Sequence, residues 1–157
     1  MAVLIRFCGT NAGSRSARSL MLSLCAQMEY LFELEHRHSA LSTGKYEELV
    51  SYFQSLLHDH AVLLFIDSLD QLCDDDLGRS QLSFLKGVVP HADTRIVVSC
   101  LPDDAEVNAE TGSRYLYLCD TRLREAAVPR VLVQMSATSP EEALDEAVSM
   151  VDSIRYL

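Results

Sequence analysis

Short apolar runs alternate along this chain with longer stretches in which apolar residues recur every three or four positions. The clearest run covers residues 61–66 and ends at Asp67. Because it is apolar at every position, it predicts a parallel β-strand that is buried on both faces. Similar patterns predict three more strands, and the four in chain order are Ala2–Cys8, Ala61–Ile66, Thr94–Cys100 and Arg130–Met135.

The stretches between these strands have helical spacing. Three helices are predicted, over residues 16–35, 44–58 and 79–86. A last helix is predicted from Ser139, where Pro140 occupies the first helical position and Glu142 completes a capping box. Because strands alternate with helices, we expect an α/β fold with a parallel sheet joined by right-handed crossovers.

The net charge of the chain limits the classes of partner that it is expected to bind. The 157 residues carry a formal net charge of -10. This acidic balance argues against nucleic acids and anionic membranes, which both favour basic surfaces. The sequence has neither an apolar run of membrane-spanning length nor a signal-peptide pattern, so we expect a cytoplasmic protein. The five cysteines are scattered without a C-x-x-C pair, which favours reduced core thiols over zinc or redox chemistry.

Three polar residues at strand ends are candidates for chemistry. Asp67 follows the strand over residues 61–66 directly, Asp70 lies three residues later, and Ser99 lies near the end of the next strand. The carboxyl ends of parallel strands are where open α/β sheets bind ligands. In P-loop NTPases, an Asp in this position is the Walker B residue that helps to hold Mg²⁺. The motif alone is weak, since any buried strand can end at an Asp that caps the following turn.

Four segments taken in order resemble a NACHT domain: RFCGTNAGSRSARSLMLSLCAQM, KYEELVSYFQSLL, IDSLDQL and RIVVSCLPD. NACHT domains are signal-transducing P-loop ATPases of the STAND class, in which the nucleotide state switches assembly. The likeness is closest to NACHT and WD-repeat-containing proteins. It covers residues 2–102 well and residues 128–157 more loosely, and it implies that residues 1–157 form a partial NACHT domain.

The resemblance implies roles for single residues. Asp67 matches the Walker B acid that binds Mg²⁺ through water, Asp70 matches the second, catalytic acid, and Ser99 matches the cofactor-binding polar residue of the sensor-1 strand. Two positions depart from the family pattern. Leu101 stands where many NACHT domains carry a phosphate-sensing Arg, and Gln71 stands where an extra Glu is frequent.

The family's Walker A segment has no counterpart in this chain, since no stretch reads G-x-x-x-x-G-K-[ST]. The resemblance therefore implies a three-layer P-loop NTPase-like parallel sheet, truncated at its N-terminus, with strand order 2-3-4-5 and strand 1 missing. Loop Gly9–Ser14 also joins a strand to a helix, but it lacks the required Lys and is expected to be a solvated turn. ATP and Mg²⁺ are cofactors of the parent family, and we expect this chain alone neither to bind them tightly nor to hydrolyse ATP.

A second interpretation remains open, in which the chain is a non-catalytic α/β protein-interaction module, as a truncated isoform or an incomplete gene product. Under either interpretation the expected partners are proteins or further copies of the chain. The pairs His36–His38 and His58–His60 would point to opposite sides of a helix, so neither predicts a metal site. The acidic stretch Asp74–Asp76 lacks the alternating ligands of a calcium loop and predicts a solvated loop.

Overall fold

The protein contains a sheet of three parallel strands in the order β1-β2-β3. The structure is a computed structural model that describes residues 1–34, 45–101 and 119–125, and for Asp120 it describes only the backbone. The strands are β1 (Ala2–Phe7), β2 (Val62–Asp67) and β3 (Arg95–Val98). The central strand β2 pairs in parallel with both neighbours. The predicted α/β class with a parallel sheet is therefore confirmed for this part of the chain.

The described helices are α1 (Ala17–Leu31), α2 (Tyr46–Asp59), α3 (Gly78–Gln81) and α4 (Cys119–Glu125). The Ser16 side chain caps α1 by accepting a hydrogen bond from the Ser19 amide at 3.4 Å. Two helices end earlier than the sequence predicts. After α1 the chain reaches Glu33 at φ 51°, and after α3 it reaches Leu82 at φ 46°. These left-handed conformations cannot continue a right-handed helix.

Helices α1 and α2 pack on one face of the sheet. This face carries Leu4, Leu64 and Ile66, which are at most 1% exposed and belong to one apolar core with the buried residues of both helices. Arg6 points to the same side, where its guanidinium donates to the Ser23 carbonyl and, at 2.6 Å, to Gln27 Oε1 of α1. The core thus lies between the sheet and this pair of helices.

The prediction that the strand over residues 61–66 is buried on both faces is wrong for the described structure. Burial alternates along β2, and the alternation is stronger along β1. There Leu4 is fully buried, while Val3, Ile5 and Phe7 are 52%, 50% and 57% exposed. The reason is that side chains alternate between the faces of a strand, and the described helices bury only one face.

The short helix α3 contacts α1 on one side and α4 on the other. A Cβ atom added to Gly78 would lie 2.4 Å from Ala17 Cβ, so this close contact with α1 requires glycine. On its other side, the Ser80 carbonyl accepts a hydrogen bond from Arg122 Nε of α4 at 3.0 Å. This packing ties residues 119–125 to the rest of the described chain.

The predicted strand Arg130–Met135 and the helix predicted from Ser139 lie outside the described residues, so the four-strand order 2-3-4-5 stays a prediction. All described elements belong to the unit Met1–Ala126. In the part of the chain that the structure describes, no helix combines the length and the apolar character that crossing a membrane requires.

Candidate functional site

The structure brings Asp67 and Ser99 together at the carboxyl edge of the sheet. Ser99 Oγ donates a short hydrogen bond of 2.5 Å to Asp67 Oδ1, and both residues are exposed. The contact follows from the register. Ile66 of β2 pairs with Val98 of β3, so the residues that come next, Asp67 and Ser99, lie side by side. The prediction that these two residues share one edge of the sheet is confirmed.

Ser68 completes this cluster, which we call the edge cluster and define as Asp67, Ser68 and Ser99. Ser68 Oγ donates to Asp67 Oδ2 at 3.1 Å, and the Ser68 amide donates to Ser99 Oγ at 2.9 Å. Ser68 adopts a left-handed backbone conformation with φ 60° and ψ 53°. Such a conformation costs a non-glycine residue about 1–2 kcal/mol. The surrounding hydrogen bonds hold it in place.

Asp70 lies near the edge cluster in a different environment. It is only 3% exposed, and it precedes Gln71 in a short 3₁₀ turn. Its Oδ1 accepts a hydrogen bond from the Leu101 amide at 3.0 Å, and its Oδ2 accepts one from Gln71 Nε2 at 2.7 Å. Oδ1 therefore holds the chain that leaves β3, and Oδ2 holds a side chain of the turn that follows β2. This geometry favours a positioning role over direct catalysis.

The end of β1 approaches the same carboxylates. Burial, together with the negative charges of Asp67 and Asp70, raises the pKa of the Cys8 thiol to about 11. Gly9 follows at φ 76°, and a Cβ atom there would lie 2.6 Å from Gln71 Cβ. The loop that follows β1 therefore packs closely against the turn that carries Asp70.

Loop Gly9–Ser14 is closed by its own hydrogen bonds. The Gly9 amide donates to the Ser14 carbonyl at 3.1 Å. The Asn11 amide donates to Ser14 Oγ at 3.0 Å, and the Ser14 amide donates to Asn11 Oδ1 at 2.9 Å. Because these three amides are used within the loop, the structure favours the expected turn over a phosphate cradle.

The edge cluster offers oxygen atoms of the kind that Mg²⁺ prefers, with one carboxylate and two hydroxyl groups. Mg²⁺ keeps several waters and is usually bound by one or two carboxylates together with substrate phosphates. Asp67 therefore fits a magnesium ion that arrives with a nucleotide. It does not form a dedicated protein cage, since the described residues contain no group of three or more His, Cys, Asp or Glu side chains placed to hold a metal.

The other polar candidates have structural roles where the structure describes them. His60 stacks on Phe32 with the ring centroids 4.2 Å apart, and His58 Nδ1 lies 3.1 Å from the Val89 carbonyl. Asp74 Oδ1 accepts from the Ser80 amide in the first turn of α3, and Asp76 pairs with Arg18 at 3.4 Å. His36 and His38 lie outside the described residues.

No pattern in the sequence marks Ser68 or Cys8 as a site residue. The only sequence signal for Ser68 is its position beside Asp67. A left-handed backbone position is often marked by glycine, and here it is occupied by serine. Cys8 reaches the site because Phe7 pairs with Asp67 across β1 and β2. No local pattern in the sequence encodes the register between these two strands.

Comparison of the chain with protein-family models, with curated proteins and with solved structures finds no match. The residues of the edge cluster and the resemblance of the motifs are therefore the basis for a proposed function.

Proposed function

We propose that this chain is part of a STAND-type ATP-binding switch of the NACHT kind, which retains the Walker B region and is inactive as an ATPase by itself. The observation that carries the proposal is the hydrogen bond between Asp67 and Ser99 at the ends of adjacent parallel strands. A Walker B acid and a sensor-1 residue need this arrangement, because both must face one ligand at the carboxyl edge.

In this proposal, Asp67 binds Mg²⁺ through water, and Ser99 orients the Asp67 carboxylate by donating to Oδ1. Bound Mg²⁺ and ATP would supply charge neutralisation at the phosphates. Asp70 is the proposed second acid of the motif. With both of its oxygens held by Leu101 and Gln71, it acts by fixing the segment after β3 beside the edge cluster. The proposed fold is the P-loop NTPase layering with strand order 2-3-4-5.

A second candidate, a non-catalytic interaction module in the cytoplasm, is favoured by the exposed apolar side chains of β1. The two candidates differ in whether a longer product of the same reading frame binds nucleotide. Under the first, the frame upstream of Met1 encodes G-x-x-x-x-G-K-[ST], and the long product binds Mg-ATP.

Isothermal titration of Mg-ATP tests the first candidate. We expect the 157-residue chain to show no binding tighter than millimolar, because it lacks a Walker A segment and the amides of Gly9, Asn11 and Ser14 are already bonded within their loop. We expect the long product to bind, and Asp67→Asn to weaken that binding by roughly 10–100-fold, as loss of an outer ligand does. Asp75→Asn, an exposed residue outside the edge cluster, is the control.

Three results would overturn this proposal. They are a closed reading frame upstream of Met1, a long product whose affinity is unchanged by Asp67→Asn, and micromolar binding by the 157-residue chain. The last result would assign the phosphate site to a loop that the proposal leaves out.

A further inference from the structure

The face of the sheet opposite α1 and α2 is built as a regular grid, which we call the open face. The register of the three strands places one residue of each in every row. The first two rows are Val3, Leu63 and Arg95, then Ile5, Phe65 and Val97. In the third row Phe7 pairs with Asp67, and Ser99 follows β3 beside Asp67, to which its hydroxyl is bonded. The last row contains two residues of the edge cluster, so the open face leads directly to the candidate site.

The apolar part of the open face is exposed to a degree that is unusual for a parallel sheet. Val97 is 44% exposed, and the three β1 side chains Val3, Ile5 and Phe7 are 50% to 57% exposed. Parallel sheets normally have helices on both faces, and contiguous exposed apolar patches mark interaction sites. In the described part of the chain, these apolar side chains are therefore only about half covered.

The dimensions of the open face match a single helix. Three strands spaced about 4.8 Å apart give a width of roughly 10 Å between the outer strands, and a helix with its side chains is about 10–12 Å across. The three rows extend over about 13 Å along the strands, which corresponds to roughly nine helical residues. One amphipathic helix of about two to three turns would therefore cover the grid.

The charges of the open face define the direction of that helix. Arg95 lies in the first row and Asp67 in the last, and both are exposed. A helix carries partial positive charge at its N-terminus and partial negative charge at its C-terminus. Both ends meet the opposite charge only when the helix runs antiparallel to the strands, with its N-terminus at Asp67.

We propose that the open face binds an amphipathic helix of a partner protein, which runs antiparallel to the strands, has no acidic residue in its first turn and has a basic polar face. The basic face complements the net charge of -10. That same charge opposes a second copy of the chain as the occupant. The helix predicted from Ser139 has the wrong polarity for this surface, with Glu141 and Glu142 in its first turn and Arg155 near its end.

The probe is a fluorescein-labelled synthetic helix of 14 residues with leucines on one face, lysines on the other and one glutamate in its last turn. Its anisotropy is measured against the full chain. We expect saturable binding, which Ile5→Lys weakens at least tenfold. Val97→Lys, on a different strand, is the second variant in case Ile5→Lys does not fold. Tyr30→Lys, at an apolar α1 side chain that is 82% exposed, is the matched control and should bind as the wild type does.

The direction of the helix is tested with a second peptide that has an acidic first turn and a basic last turn. We expect the wild type to prefer the first peptide several-fold and Arg95→Glu to remove that preference. Lys86→Glu makes the same charge change at an exposed residue outside the open face and should keep it. Equal affinity for both peptides in the wild type would overturn the proposed direction.

Four results would overturn the proposed occupant. The first two are an absence of peptide binding and binding that Ile5→Lys leaves unchanged. The third is a dimer that Ile5→Lys dissociates, which would make a second copy the occupant. The fourth is slow thiol modification of Ile5→Cys relative to Tyr30→Cys in the monomer, which would show that the chain covers the face itself.

Discussion

At the scale of single residues, the two acids after β2 have opposite environments. The Asp67 carboxylate is exposed and bonded to two serine hydroxyls, whereas the Asp70 carboxylate is buried and bonded to an amide and to Gln71. An exposed carboxylate can exchange a hydroxyl partner for a ligand at small cost. A buried carboxylate with two donors is part of the fold, because removing it leaves those donors without an acceptor.

We therefore predict that Asp70→Ala lowers the free energy of unfolding by about 1–3 kcal/mol, as expected for lost hydrogen bonds to a charged group. Urea denaturation of the full chain measures the change. Asp75→Ala removes an exposed carboxylate five residues away and should stay within about 0.5 kcal/mol of the wild type. A stable Asp70→Ala variant would remove the positioning role and leave catalysis as the better explanation for this residue.

The polar residues of the site could be predicted only in part. Asp67 and Ser99 were found because each lies where an apolar strand ends, and parallel strands place such ends at one edge. The roles of Ser68, Cys8 and Gln71 depend on backbone conformation and on the register between β1 and β2. These are long-range properties that no local pattern in the sequence encodes.

At the scale of elements, one buried side chain connects the starts of β2 and β3. Thr94 is 5% exposed. Its Oγ1 accepts a hydrogen bond from the Val62 amide and donates one to the His60 carbonyl, each at 3.1 Å. The hydroxyl thus bonds two backbone groups at the amino edge of the sheet, just ahead of the first paired residues of β2 and β3. The two strands are therefore fastened at both edges, by Thr94 at one and by Ser99 at the other.

Replacing Thr94 tests this connection. Thr94→Val keeps the shape of the side chain and removes the hydroxyl, so we expect a loss of about 2 kcal/mol of stability from the buried groups left unpaired. Thr94→Ser keeps the hydroxyl and removes one methyl group, which costs about 0.8 kcal/mol. Thermal or urea unfolding compares the two variants. A valine variant at least as stable as the serine variant would show that the hydroxyl contributes nothing.

The elements themselves were largely predictable. Helix α2 (Tyr46–Asp59) follows the apolar spacing closely, as does the position of each described strand. The burial of β2 was not predictable, because a run of apolar residues cannot show which face the rest of the protein covers. The early ends of α1 and α3 come from the left-handed residues Glu33 and Leu82, and neither is a typical helix terminator.

At the scale of the whole molecule, buried thiols make stability depend on pH. The five cysteines all lie in the described part of the chain, and none forms a disulfide there. Burial is the main reason that the pKa values of Cys8 and Cys25 rise to about 11 and about 12 from the ordinary 9.0. The folded state therefore holds these protons more tightly than the unfolded state does. Their stabilising contribution is complete below pH 9 and is lost as the pH rises toward 11 and 12.

We accordingly predict that stability falls between pH 8 and pH 10.5 under reducing conditions, and that the fall is smaller in the double variant Cys8→Ala and Cys25→Ala. Urea denaturation at the two pH values gives each difference. Cys73→Ala, at a half-buried cysteine, serves as the control and should keep the full fall. An identical pH dependence in the double variant would mean that these thiols do not cause it.

The hydrogen bonds around Ser99 limit how strongly the edge cluster can hold a ligand. The Ser99 amide donates to Ile66, its carbonyl accepts from Leu69, and its hydroxyl serves both Ser68 and Asp67. A ligand that contacts Asp67 Oδ1 directly competes with this hydroxyl, whereas one held through water can leave the hydrogen bond in place. Direct binding therefore spends part of its energy on breaking an existing contact. Tight folding of the edge and tight binding at it therefore compete, and a variant that strengthens one is expected to weaken the other.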